Sequence, residues 1–252
     1  MPLTSEKRAV QVGGCDIHYV ELGAGPAMVF LHGSGGLRLD EETFGLLSED
    51  HRLLVPSMPG FDGSTVGPVT CGADIADVMA RFIHATVGGP AIVIGESFGG
   101  RIAAWLTVRH PEAVERAILA APGGLRRSGG DRGLDLSPAE RETRLYGRPL
   151  GNRPSPEEAA RHRSNVLNAT RFGGPPWDEE LYQQLPSITR PVLILYGTND
   201  QTMERRDIEL YAERIPGAII EYIEGVPHVL SLMYPNEFVA HIRAFVVNGA
   251  GS

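Results

Sequence analysis

Ser97 stands in the run Gly-Glu-Ser-Phe-Gly, within the stretch AIVIGESFGGRIAAW. An apolar stretch enters the first glycine and a helix-like stretch leaves the last. A serine on such a sharp strand-to-helix turn is lifted clear of a sheet edge, and the helix start offers free N–H groups to a developing oxyanion. The bland alternative is a serine capping a helix in a glycine turn. A serine hydroxyl is a weak nucleophile until a base takes its proton. The chain has eight histidines. His18 falls in a hairpin strand, His84 and His110 near helix ends, and His162 and His241 within helices. His228 differs: it lies in GVPHVL, directly after the strand-like AIIEYIEG. The base needs an acid to orient it. Asp200 ends the strand-like VLILYGTND, whereas Glu204 and Asp207 fall where the next helix opens, and acids are expected there for the helix dipole alone.

A second glycine-rich turn, His32-Gly33-Ser34-Gly35-Gly36, follows the apolar AMVFL. Backbone N–H groups there can point into a site. The N–H groups of Ser34 and Phe98 are the expected oxyanion donors, and one such donor is worth about 3–4 kcal/mol of transition-state stabilisation. A dinucleotide loop would need a sixth-position glycine, and Arg38 occupies it. Glu96 precedes the serine and is expected to point away from the site, bracing the elbow against neighbouring loops; a partly buried carboxylate there needs hydrogen bonds or an arginine partner.

These residues need a scaffold that gathers strand ends at one edge. RAVQVGGCDIHYVELG reads as a hairpin turning at Gly13-Gly14. Thereafter short apolar runs alternate with segments of helical periodicity, such as Ile75, Val78, Met79, Phe82 and Ile83. That alternation predicts an α/β fold: a mostly parallel central sheet with helices on both faces. Functional loops then gather at the carboxyl ends of the strands. The rhythm breaks from Leu125 to Pro186, which is rich in proline, arginine and acids. SPAERETRLYG and SPEEAARHRSNVLNATRF read there as helices opening on Ser-Pro. Its ten arginines face nine acids, so it is no nucleic-acid patch. The final NGAGS is expected to fray.

The motifs LHGSGG, PGFDGS, GESFGG, YGTND and GVPH make the chain similar to the α/β-hydrolase superfamily over nearly its whole length. The order Ser97…Asp200…His228 is the order used on that fold. The resemblance implies a serine hydrolase: Ser97 attacks, His228 moves the proton, Asp200 fixes the imidazole, and water clears an acyl-enzyme. It implies an α/β-hydrolase core at 1–124 and 187–252 and a helical cap at 125–186. Cap residues would then set specificity. Trp177, Phe172, Tyr146 and Leu167 are candidates for an apolar acyl pocket, and Arg163 and Asn165 for a substrate carboxylate or carbonyl. Ser57 and Met58 depart from the family, which often has aspartate just before Pro-Gly-Phe. A serine nucleophile separates the chain from the dehalogenase and epoxide-hydrolase relatives, which use aspartate.

Composition narrows the chemistry. Net charge is −8, which argues against nucleic acid as a partner. Of 23 basic residues only Lys7 is lysine, and it is expected in the N-terminal segment ahead of the first strand, so lysine-bound pyridoxal phosphate and lysine phosphate loops have no candidate. Two distant cysteines, Cys15 and Cys71, make no zinc motif and read as reduced thiols of a cytoplasmic protein. No apolar run spans a membrane, and no signal core opens the sequence. No metal and no cofactor is expected. The expected partner is a small-molecule carboxylic ester or lactone. Three other readings are a carbon–carbon bond hydrolase like the meta-cleavage product hydrolases, an acyltransferase or perhydrolase, and a ligand receptor that keeps the fold.

Overall fold

Each short apolar run becomes a strand. In the computed structural model, which describes residues 6–38, 40–127, 136–151 and 154–248, these are β1 (Glu6–Val12), β2 (Cys15–Leu22), β3 (Ala27–Leu31), β4 (Arg52–Pro56), β5 (Ala91–Glu96), β6 (Val114–Ala120), β7 (Val192–Gly197) and β8 (Ile219–Ile223). They form one sheet in the order β1-β2-β4-β3-β5-β6-β7-β8. β1 and β2 pair antiparallel, as do β2 and β4, and every later pairing is parallel. Gly13 and Gly14 turn the hairpin with φ of 58° and 79°, values that cost glycine little.

The helices are α1 (Glu41–Ser48), α2 (Gly72–Val87), α3 (Phe98–Arg109), α4 (Pro138–Tyr146), α5 (Pro156–Gly173), α6 (Glu179–Gln184), α7 (Arg205–Arg214), α8 (Leu230–Met233) and α9 (Pro235–Asn248). Alternate strand residues feed opposite faces, as the two-residue side-chain period demands. Val29, Leu31 and Val93 pack with α2, α3 and α7. Met28, Phe30, Ile92 and Ile94 pack with α1, α8 and α9. Because both faces are covered, β5 and β7 are buried along their whole length.

The order β4-β3-β5 contains a reversal. The chain leaves β3 for β4 on one side, then crosses back over β3 to β5. The carboxyl ends of β3 and β5 flank this switch point, where open sheets form their crevice. The loop after β3 carries Gly33 to Gly36, and the turn after β5 carries Ser97. The tail from 249 onward lies outside the described residues.

Candidate active site

Ser97 joins β5 to α3 with φ 57° and ψ −112°, a conformation that side chains rarely adopt. Neighbouring hydrogen bonds hold it there. Its N–H donates to Ala120 O at 2.8 Å, and its C=O accepts from Arg101 N at 3.2 Å and Gly123 N at 3.0 Å. The flanking glycines are required by packing. A Cβ at Gly95 would lie 2.2 Å from Gly99 O, and one at Gly99 would lie 2.1 Å from Leu31 O. Without side chains there, α3 can start close against β3 and β5.

The loops after β7 and β8 bring the other two residues to this turn. His228 Nε2 lies 2.9 Å from Ser97 Oγ, and His228 Nδ1 lies 2.7 Å from Asp200 Oδ2. The second Asp200 oxygen accepts from the N–H groups of Thr202 at 2.6 Å and Met203 at 2.9 Å. A carboxylate held this way accepts a hydrogen bond from the Nδ1–H of a neutral imidazole and leaves Nε2 free to accept from the serine. Both side chains are buried, His228 at 2% exposed and Asp200 at 0%. Burial opposes charge on His228. The Asp200 charge and hydrogen bond outweigh it, with Glu96 adding to them, so the ring lies above the ordinary histidine value.

The glycine-rich loop runs beside Ser97: a Cβ at Gly33 would lie 3.7 Å from Ser97 Cβ. Two donors hold Gly33 O, His32 Nδ1 at 2.8 Å and Gly36 N at 3.1 Å. In a trans peptide the carbonyl and the next N–H point oppositely. Fixing Gly33 O therefore fixes the Ser34 N–H, which the turn itself does not use. Met58 N donates to His32 Nε2 at 3.1 Å, so the proton of the neutral ring sits on Nδ1. Burial holds the His32 pKa below the usual histidine value. The Phe98 N–H opens α3 and has no partner within the helix.

Glu96 is buried. Its carboxylate accepts from Ser231 N at 3.0 Å and Ser231 Oγ at 2.8 Å, three residues beyond His228. Burial raises its pKa, and the Ser231 bonds work against that rise. The remaining expected residues divide. Asn165 is buried, but its amide is committed to Gly35 O at 2.9 Å and Asp62 Oδ1 at 2.8 Å. Arg163, two positions away on α5, is exposed. Tyr146 is half-buried with the Arg38 guanidinium 5.7 Å from its ring centre, and burial raises its pKa. Trp177 pairs its N–H with Glu179 at 2.6 Å and packs on Tyr182 with ring centres 4.9 Å apart and planes tilted by 45°. Phe172 sits in the main core, and Leu167 is 70% exposed. Sequence reasoning missed Asp62 and Ser231, and it treated His32 only as part of a motif. PGFDGS was the one available signal for Asp62.

A model of the alpha/beta hydrolase family matches residues 28–242. The chain is 28% identical over 255 residues to the dihydrolipoyllysine-residue acetyltransferase component of the acetoin cleaving system of Cupriavidus necator, covering 92% of this chain and 67% of that one. It is 27% identical over 252 residues to the pimeloyl-[acyl-carrier protein] methyl ester esterase of Nitrosomonas europaea, covering 89% and 97%. The crystal structure of carboxylesterase CesB from Bacillus subtilis superposes with a TM-score of 0.79 at 22% identity, covering 97% of this chain and 92% of that one.

Proposed function

Because the chain belongs to the alpha/beta hydrolase family, we propose that it is a serine hydrolase acting on a small-molecule carboxylic ester or lactone. The observation that carries this reading is the relay from Ser97 Oγ through His228 to Asp200, at 2.9 and 2.7 Å. Ser97 Oγ attacks the ester carbonyl carbon as its proton passes to His228 Nε2. The carbonyl oxygen becomes an oxyanion, received by the N–H groups of Ser34 and Phe98. The C–O bond then breaks, and the leaving alkoxide takes the proton from Nε2. Water repeats the sequence on the acyl-enzyme, giving the acid and free Ser97. Asp200 holds the tautomer and stabilises the imidazolium. Residues 125–186 act as a cap, and Tyr146 borders the acyl side. The free thiols of Cys15 and Cys71 support work in the cytoplasm. Among the described residues no helix is long and apolar enough to cross a membrane.

Two of the arginines weigh for the ester reading over carbon–carbon cleavage. A dienoic keto-acid needs a cation for its carboxylate. Arg163 is exposed on α5, and Arg101 is bound to Asp178 at 2.5 Å. Wild-type protein is expected to hydrolyse a p-nitrophenyl ester faster than a vinylogous 1,5-diketone acid. A fluorophosphonate probe is expected to label it and to leave Ser97→Ala unlabelled. Folded wild type that takes no label and turns over no ester would sink the enzyme reading in favour of a ligand receptor.

A further inference from the structure

The loop that orients the Ser34 N–H contains Gly33, Gly35 and Gly36, so it is intrinsically free to move. Fixing each residue costs backbone entropy, and glycine is at the high end. Something outside the loop must hold it. His32 and Gly36 secure its first carbonyl. Its far side is secured from two other elements that play no part in the proposed chemistry.

Asp62, in the loop after β4, has a positive φ of 47° and a side chain 11% exposed. One carboxylate oxygen accepts from Leu37 N at 2.5 Å, and the other from Asn165 Nδ2 at 2.8 Å. Arg161 Nε stands 3.5 Å from the same carboxylate. Asn165 also donates to Gly35 O at 2.9 Å and accepts from Asp62 N at 3.3 Å. The joint leaves no free space, since a Cβ at Gly36 would lie 2.0 Å from Asn165 Nδ2 and 2.3 Å from Asp62 Oδ2. One face of α5 lies along both loops. A Cβ at Gly35 would meet the His162 ring at 3.0 Å, and Asn168 Nδ2 donates to Gly60 O at 2.6 Å. Residues 162, 165 and 168 share that face by helical spacing.

We propose that Asp62 and Asn165 are positioning residues that latch α5 to the glycine-rich loop, so that the oxyanion donor Ser34 is correctly aimed only while α5 is seated. Asn165 thus acts through the loop and does not touch substrate. The latch makes transition-state stabilisation depend on the helix that covers the site. Its catalytic consequence rests on the serine-hydrolase reading, whereas its effect on the loop does not.

The test uses the full chain as wild type, Asn165→Ala, the near-isosteric Asp62→Asn, and the double variant. Three readouts are compared: kinetics on a p-nitrophenyl ester, affinity for a trifluoromethyl ketone that forms an oxyanion at Ser97, and hydrogen exchange of the amides at 33–37. Each single variant is expected to lose about tenfold to a hundredfold in kcat/KM. Ketone affinity should fall by the same factor while KM changes little. Exchange at 33–37 should rise about tenfold or more while the sheet stays protected. The double variant should be no worse than the poorer single one. Unchanged exchange at 33–37 in a folded variant overturns the latch. So does a kcat/KM loss with ketone affinity intact. Loss of cooperative melting in both singles would make the pair general fold residues and overturns it too. If wild type neither turns over ester nor takes a fluorophosphonate label, the hydrolase reading fails, and hydrogen exchange alone decides the latch.

Discussion

His228 is almost fully enclosed yet holds its proton more tightly than a free histidine. Burial works against the cation, but Asp200 bonds to Nδ1 and Glu96 adds a second negative charge, against one opposing arginine, Arg126. In the proposed mechanism the neutral ring is the working form, because only it offers Nε2 a lone pair. Protonation as pH falls through the raised folded-state value removes that lone pair. The acid limb of kcat/KM is therefore expected above the ordinary value of about 6.5, with activity lost below it. Asp200→Asn should move this limb to lower pH and cut kcat by up to about 10⁴, since the tautomer is no longer enforced. Glu96→Gln should move it the same way by less, because the Glu96 charge acts on His228 more weakly than Asp200 does. A pH–rate profile that stays put in both variants would unseat His228 as the titrating base.

At the scale of elements, the site depends on how α3 and its neighbours are tied down. α3 begins beside the proposed nucleophile, and its Arg101 reaches Asp178, the residue that caps α6, through Nη2 at 2.5 Å and Nε at 3.1 Å. Trp105 Nε1 joins the same oxygen at 3.0 Å. Both charges are nearly buried, with side chains 10% and 11% exposed. Asp178→Ala leaves the Arg101 guanidinium enclosed and unpaired, which is expected to cost about 3–5 kcal/mol. Urea denaturation measures it, and a loss below 1 kcal/mol would show the pair to be dispensable. Periodicity made the larger elements readable. α2 shows a helical stripe, and each buried strand is a short apolar run with punctuation at both ends. Ser97, Asp200 and His228 were legible as candidates because each sits at such a punctuation mark, in a familiar order. α1 was not, because its buried set is only Thr43, Phe44 and Leu47 and it carries Gly45 in its interior. Asp62 and Ser231 were not either, for a different reason. Their partners are backbone groups or side chains distant in sequence, Leu37 across 25 positions and Glu96 across 135. No local pattern encodes such a pairing.

For the whole molecule, the question is whether residues 125–186 form a separable unit, as a cap inserted between β6 and β7 suggests. The packing argues for one cooperative body. Phe172, Leu181 and Leu185 are buried in the same cluster as Val93 of β5 and Ile102 of α3. Trp177 makes an isolated bridge with Leu125, and Asp178 N donates to Gly124 O at 2.7 Å. Removing the segment would strip cover from the core and open the buried Arg101–Asp178 pair to water. The chain has two tryptophans, and they report on the two parts separately. Trp105 lies on α3 against the core and Trp177 lies in the segment. In Trp177→Phe the fluorescence follows Trp105, and in Trp105→Phe it follows Trp177. Each variant's fluorescence midpoint in urea is compared with its own far-ultraviolet circular dichroism midpoint, so different stabilities of the two variants do not matter. Coincidence within each variant is expected, the signature of two-state unfolding. A Trp177 signal lost at lower urea than the sheet's signal would mean that the segment detaches first. The covering helices would then be a lid on an independently stable core, and α5 would release the glycine-rich loop without unfolding it.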